Sequence, residues 1–98
     1  MDKEDALKLV RKYKALVAEE FRNAKVYMFG SYCKGCAHAD SDIDVAVVIP
    51  GIDGEWLERS SRLWQLTLKV DTLIEPVLID ENHPSPLYED ILRTGVAV

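Results

Sequence analysis

The sequence predicts an α/β (α+β) fold, a small mixed β-sheet flanked by helices, in a single domain over residues 1–98. Three observations point there. An amphipathic run opens the chain, β-branched segments of strand length recur three times, and a second run at helical spacing separates the last two. At 98 residues the chain is short for a domain, yet its 48% hydrophobic content is that of a globular protein with one core.

Residues 4–21 place Leu7, Leu9, Val10, Tyr13, Leu16, Val17 and Phe21 three and four apart with charges between, the pattern of an amphipathic helix. Asp2 or a neighbouring acid opens it and Asn23 stops it. Lys25–Phe29 reads as a short strand ended by Gly30, and residues 30–41 as a loop with a helical turn. Asp42–Ile49 is rich in β-branched residues and bounded by Pro50, as a buried strand is. Pro50-Gly51 and Asp53-Gly54 mark a turn. Trp56, Leu57, Ser60, Leu63, Trp64, Thr67 and Leu68 then set a helix over about 54–69. Thr72–Ile79 is the third strand, with Pro76 marking an edge or a bulge. Residues 80–86 form a loop. Leu87, Tyr88, Ile91 and Leu92 make a last short helix, closed by Gly95 in the position after the cap.

Composition narrows the function. The formal charge is −5, against the basic balance of domains that grip nucleic acid through its phosphates. The longest apolar run, Val45–Ile49, is far too short to span a membrane. The acidic start is no secretory signal, so a cytoplasmic location is expected.

Chemistry concentrates in residues 30–48. Gly30-Ser31 follows a strand and opens a helical turn, where a glycine admits close backbone approach and helix-start amides with a hydroxyl bind anions. Alone, such a pair is ordinary turn chemistry. Asp42 and Asp44 stand two apart at a strand start, so both carboxylates share one face while Ile43 and Val45 take the other. Like charges fixed together call for a cation, and hard oxygen ligands suit Mg²⁺, although taken alone the pair equally fits a polar strand start with Asp42 capping a turn. Eleven residues separate Ser31 from Asp42, so a phosphate cradle and a metal-binding pair can face each other across a strand–turn–strand unit.

Gly30-Ser31, Gly35, Ala37 and Ser41-Asp42-Ile43-Asp44-Val45 resemble the signature of the minimal nucleotidyltransferases of the DNA polymerase β superfamily, and the resemblance extends over nearly the whole chain. Cys33 stands where that signature has alanine. Lys34 stands where it has arginine, keeping the charge but not the bidentate fork. The resemblance implies a polymerase-β-like nucleotidyltransferase fold and transfer of a nucleoside monophosphate, AMP from ATP, to a hydroxyl with release of pyrophosphate. It also implies two Mg²⁺ ions on Asp42, Asp44 and a third carboxylate, for which Glu75 and Asp71 are candidates. Glu75 is favoured, since it lies inside a strand among apolar residues, whereas Asp71 falls at a junction where aspartate forms turns. Glu75 would act as base, Gly30, Ser31 and Ser41 would bind the nucleotide's phosphates, and Lys34 would add charge. ATP or another nucleoside triphosphate is the implied donor. A helical, toxin-like partner protein or a second copy is the implied associate. The alternative is an antitoxin-like binding module, catalytically weak, that acts by covering its partner.

Other residues carry less. Cys33 and Cys36 form a Cys-Lys-Gly-Cys pair that a redox motif would also show, but that reading leaves the aspartates unexplained. A zinc site would need both His38 and His83. Trp56 and Trp64 share nearly one helix face, as core or interface residues do. Tyr32 is expected in an exposed loop or near the nucleotide, His38 and Asp40 on the loop surface, and Tyr88 in the core.

Overall fold

A computed structural model describes residues 2–30, 32, 42–52 and 55–98. Helix α1 (Lys3–Glu20) begins where predicted, because the Asp2 side chain accepts the Asp5 backbone N–H at 2.8 Å, and Glu4 and Asp5 complement the positive end of the helix. Its buried stripe is Ala6, Leu7, Val10, Tyr13 and Val17. Phe21 caps it, and Asn23, in the left-handed region at φ 59°, reverses the chain.

Strands β1 (Lys25–Phe29), β2 (Ile43–Ile49) and β3 (Ile74–Asp80) join a two-residue strand, β4 (Val96–Ala97), in a sheet of order β3-β2-β1-β4. The sheet is mixed as expected: β1 runs antiparallel to β2 and β4, and β2 runs parallel to β3. Between β2 and β3 lies α2 (Trp56–Thr67), the crossover helix that parallel strands require. Helix α3 (Pro86–Thr94) follows, with Ser85 accepting the Tyr88 N–H and proline at its first position. Pro76 lies on β3, which is an edge strand.

The central strand is buried on both faces. Ile43, Val45, Val47 and Ile49 pack with the buried residues of α1 and α2, while Ala46 and Val48 pack with Ile79 and the α3 residues Tyr88 and Ile91. Two polar ties bind α1 to α2: the buried Tyr13 hydroxyl donates to the Leu63 carbonyl at 2.8 Å, and Arg62 donates to both Glu20 oxygens at 2.7 and 2.8 Å. Burial pushes the Tyr13 phenol well above its ordinary value. At the far end of β3, Asp80 accepts the N–H groups of Gly51, Ile52 and Asn82. Burial alone would raise this carboxyl, but these hydrogen bonds outweigh it and hold the group below the usual range.

Four expectations are corrected. Strand β4 was not predicted, because two residues carry no periodicity. Gly95 caps α3 in extended backbone, φ −80°, rather than in the left-handed region; it is needed because a Cβ there would lie 2.7 Å from the Ile91 carbonyl oxygen. Tyr32 is buried in the core rather than exposed. In α2 the buried residues are Leu63, Leu66 and Thr67, so Leu57, Trp64 and Leu68 of the predicted stripe face outward.

Candidate active site

The parallel register of β2 and β3 sets Asp44 directly beside Glu75. Residues alternate faces along each strand, so Asp44 shares a face with Ala46 and Val48, and Glu75 with Val77 and Ile79. Helix α3 covers that face over Ala46, Val48 and Ile79, and both acids lie beyond it toward the strand starts. Asp42 precedes β2 by one residue, and the Ile43 N–H bonds the Leu73 carbonyl at 2.7 Å, tying the starts of β2 and β3 together.

The electrostatics couple the three acids. Partial burial raises the Asp44 carboxyl, and the charge of Asp42 raises it further. Glu75 is raised by burial, by the charge of Asp42, by a hydrogen bond shared with the Asp42 carboxyl, and by Asp44. Asp71 is held elsewhere: its carboxylate accepts the Leu73 N–H at 2.8 Å in an Asx turn. Of the two candidates for a third carboxylate, Glu75 is therefore the one beside the aspartates.

Gly30 completes the arrangement from the next strand. Phe29 pairs with Asp44 in the antiparallel register, and Gly30 follows at φ 77°. A Cβ at Gly30 would overlap Oδ2 of Asp44 and stand 3.0 Å from its Cγ. Glycine is required here twice over, by backbone conformation and by the carboxylate against it. Ser31, Lys34 and Ser41, with Cys33, Cys36, His38 and Asp40, lie outside the described residues. The Tyr32 hydroxyl, two residues past Gly30, is buried without a hydrogen-bond partner among the described residues; no periodicity marked this tyrosine for the core. His83 is far from the three acids in the fold, exposed at the Asp80 end of β3.

Among the described residues no group of three or more His, Cys, Asp or Glu side chains forms a ready metal cage. The donor set is nonetheless of the right chemistry for a hard cation: carboxyl groups only, the proton affinities of Asp44 and Glu75 raised by burial and by neighbouring acids, crowded charge that a cation would relieve. No helix among the described residues is long and apolar enough to cross a membrane.

A sheet end carrying clustered acids beside a glycine turn suits phosphoryl chemistry, and comparison with known proteins agrees. Residues 10–93 match the family model of the nucleotidyltransferase domain. The chain is 21% identical over 100 residues to "Putative protein adenylyltransferase MJ0141" of Methanocaldococcus jannaschii, covering 96% of this chain and 99% of that protein. It is similar to the crystal structure of a "putative nucleotidyltransferase" from Sulfolobus solfataricus, with TM-score 0.71 and 25% identity, over 97% of this chain and 80% of that one. It also resembles a mutant of the toxin–antitoxin MntA–HpeT, with TM-score 0.64 and 26% identity, over 90% and 69% of the two chains. The chain belongs to the nucleotidyltransferase domain family. It is a transferase, and its reaction is nucleotidyl transfer.

Proposed function

We propose that the chain transfers AMP from ATP to a hydroxyl group on a partner protein, with Asp42, Asp44 and Glu75 as its catalytic carboxylates. The observation that carries this reading is the juxtaposition of Asp44 and Glu75 in register, both coupled to Asp42 and bordered by Gly30. The adenylyl donor and protein acceptor are supported by the name of the Methanocaldococcus relative, and a protein partner by the toxin–antitoxin assembly.

Each residue has a role that follows from its chemistry. Asp42, Asp44 and Glu75 would hold two Mg²⁺ ions, which would supply charge stabilisation at the attacking and leaving oxygens. Glu75, whose proton affinity is raised, takes the proton of the acceptor hydroxyl. The hydroxyl oxygen bonds to the α-phosphorus, the bond to the β-phosphate breaks, and pyrophosphate leaves with its electrons. Gly30 lets the backbone lie against Asp44, and the following residues, Ser31, Lys34 and Ser41, bind the triphosphate. Replacing Asp44 with asparagine is expected to abolish Mg²⁺-dependent transfer of a label from the α-phosphate while leaving the circular dichroism spectrum unchanged. Transfer at the wild-type rate by that variant would overturn the assignment.

A further inference from the structure

The outward side of α2 carries a stripe that the fold leaves uncovered. Leu57 is 79% exposed, Trp64 47% and Leu68 75%. Together with Ser61 they recur at spacings of four, three and four, the seam spacing of a coiled coil. No charge interrupts this seam, and Ser60 beside it is also small and neutral. With Trp56, 44% exposed at the helix start, the patch presents on the order of 500 Å² of apolar side chain, the upper end of what a monomer's largest patch exposes. A standard interface takes about 800 Å² from each partner, so this patch is the size of an interface core.

We propose that the occupant is a second copy of this chain, docked antiparallel through α2 about a two-fold axis near residues 62 and 63. The seam is self-complementary in that direction, as an isologous interface must be. Leu57 of one copy meets Leu68 of the other, and the bulky Trp64 of each sits over the small Ser61 of its mate. On the flank that also carries Arg62, which is hydrogen-bonded to Gln65, Glu58 of one copy faces Gln65 and Lys69 of the other, an acid against an amide and a cation. Arg62, on that same flank, is neutralised within the chain by its pair with Glu20 of α1. Pairing through the sheet edge is disfavoured instead, because Pro76 removes a donor from the exposed edge of β3. Because α2 runs back along β2 and β3, its Leu68 end lies at the sheet end that carries Asp42 and Glu75. The antiparallel pair therefore brings the start of α2 in each copy beside the site end of the other.

Sedimentation equilibrium of the full chain from micromolar to millimolar concentration tests this. The mass is expected to rise from 11.1 kDa toward twice that value, and Trp64→Glu, with its circular dichroism unchanged, is expected to stay monomeric. Glu58→Lys and Lys69→Glu should each weaken the dimer several-fold, and the two together should restore it, which only the antiparallel arrangement predicts. A mass of 11.1 kDa at every concentration overturns the proposal. So does a dimer that survives Trp64→Glu, or a double charge reversal weaker than either single one.

Discussion

Replacing Gly30 with alanine should harm the protein in two separable ways. At φ 77° an L-residue is strained by about 1–2 kcal/mol. The added methyl would also overlap Oδ2 of Asp44 and press within 3.3 Å of its Cβ, and forced overpacking of this kind costs about 1–3 kcal/mol. Gly30→Ala should therefore destabilise the fold by about 2–5 kcal/mol, with each kcal/mol lowering Tm by about 4–8 °C at this chain length. In an Asp44→Ala background the carboxylate is gone and only the backbone strain remains, so the same change should cost about 1–2 kcal/mol. Thermal and urea unfolding of the four proteins closes the cycle and isolates the coupling between the two positions. With Asp44 intact, displacement of its carboxylate should also reduce nucleotidyl transfer about 10²-fold. An equal cost in both backgrounds would refute the argument that Asp44 is what demands glycine here.

Other expectations concern charge and the core. Asp44 and Glu75 bind protons more readily in the folded chain than in the unfolded one, so they favour folding at low pH and this contribution fades as pH rises through their raised values. Glu20, held low by its hydrogen bonds from Arg62, acts in the opposite sense, its contribution fading as pH falls. Metal-free thermal melts over roughly pH 4–7 should show the Asp44→Asn, Glu75→Gln protein gaining on the wild type as pH rises; parallel curves would contradict the coupling. Tyr13→Phe removes the buried bond to the Leu63 carbonyl and should cost about 1 kcal/mol, measured by urea unfolding. Because the Tyr13 phenol is raised, wild-type stability should also fall as pH climbs above about 10, a slope the phenylalanine variant should lack.

Much of this architecture is legible in the order of residues, for local reasons. Asp2 has the short acidic side chain that caps α1, and alternation along β2 puts Ile43 and Val45 in the core and leaves Asp44 on the opposite face. The Gly30 turn is legible as well, since a glycine after a strand marks close approach. What the residue order leaves open, or points the other way, depends on pairings between distant segments. Whether Glu75 or Asp71 stands beside Asp44 is a question of parallel register, which is set by the crossover through α2 and by the turn that Asp71 itself builds. Helical spacing alone marks α2, but its apolar residues span more than one face, and only packing against α1 and β3 selects Leu63 and Leu66 over Trp64 and Leu68. The polar and small neighbours of Tyr32 predict an exposed loop or a place near the nucleotide, yet the chain turns it into the core.

The most direct test of the account is transfer from ATP labelled at the α-phosphate, with Mg²⁺, by the wild type and by Asp42→Asn, Asp44→Asn, Glu75→Gln and Asp71→Asn. Release of AMP to water is the acceptor-independent readout. The first three variants should lose about 10²–10³-fold or more in rate, and Asp71→Asn should transfer as the wild type does. Loss with Asp71→Asn and retention with Glu75→Gln would contradict the claim that Asp42, Asp44 and Glu75 act as one site.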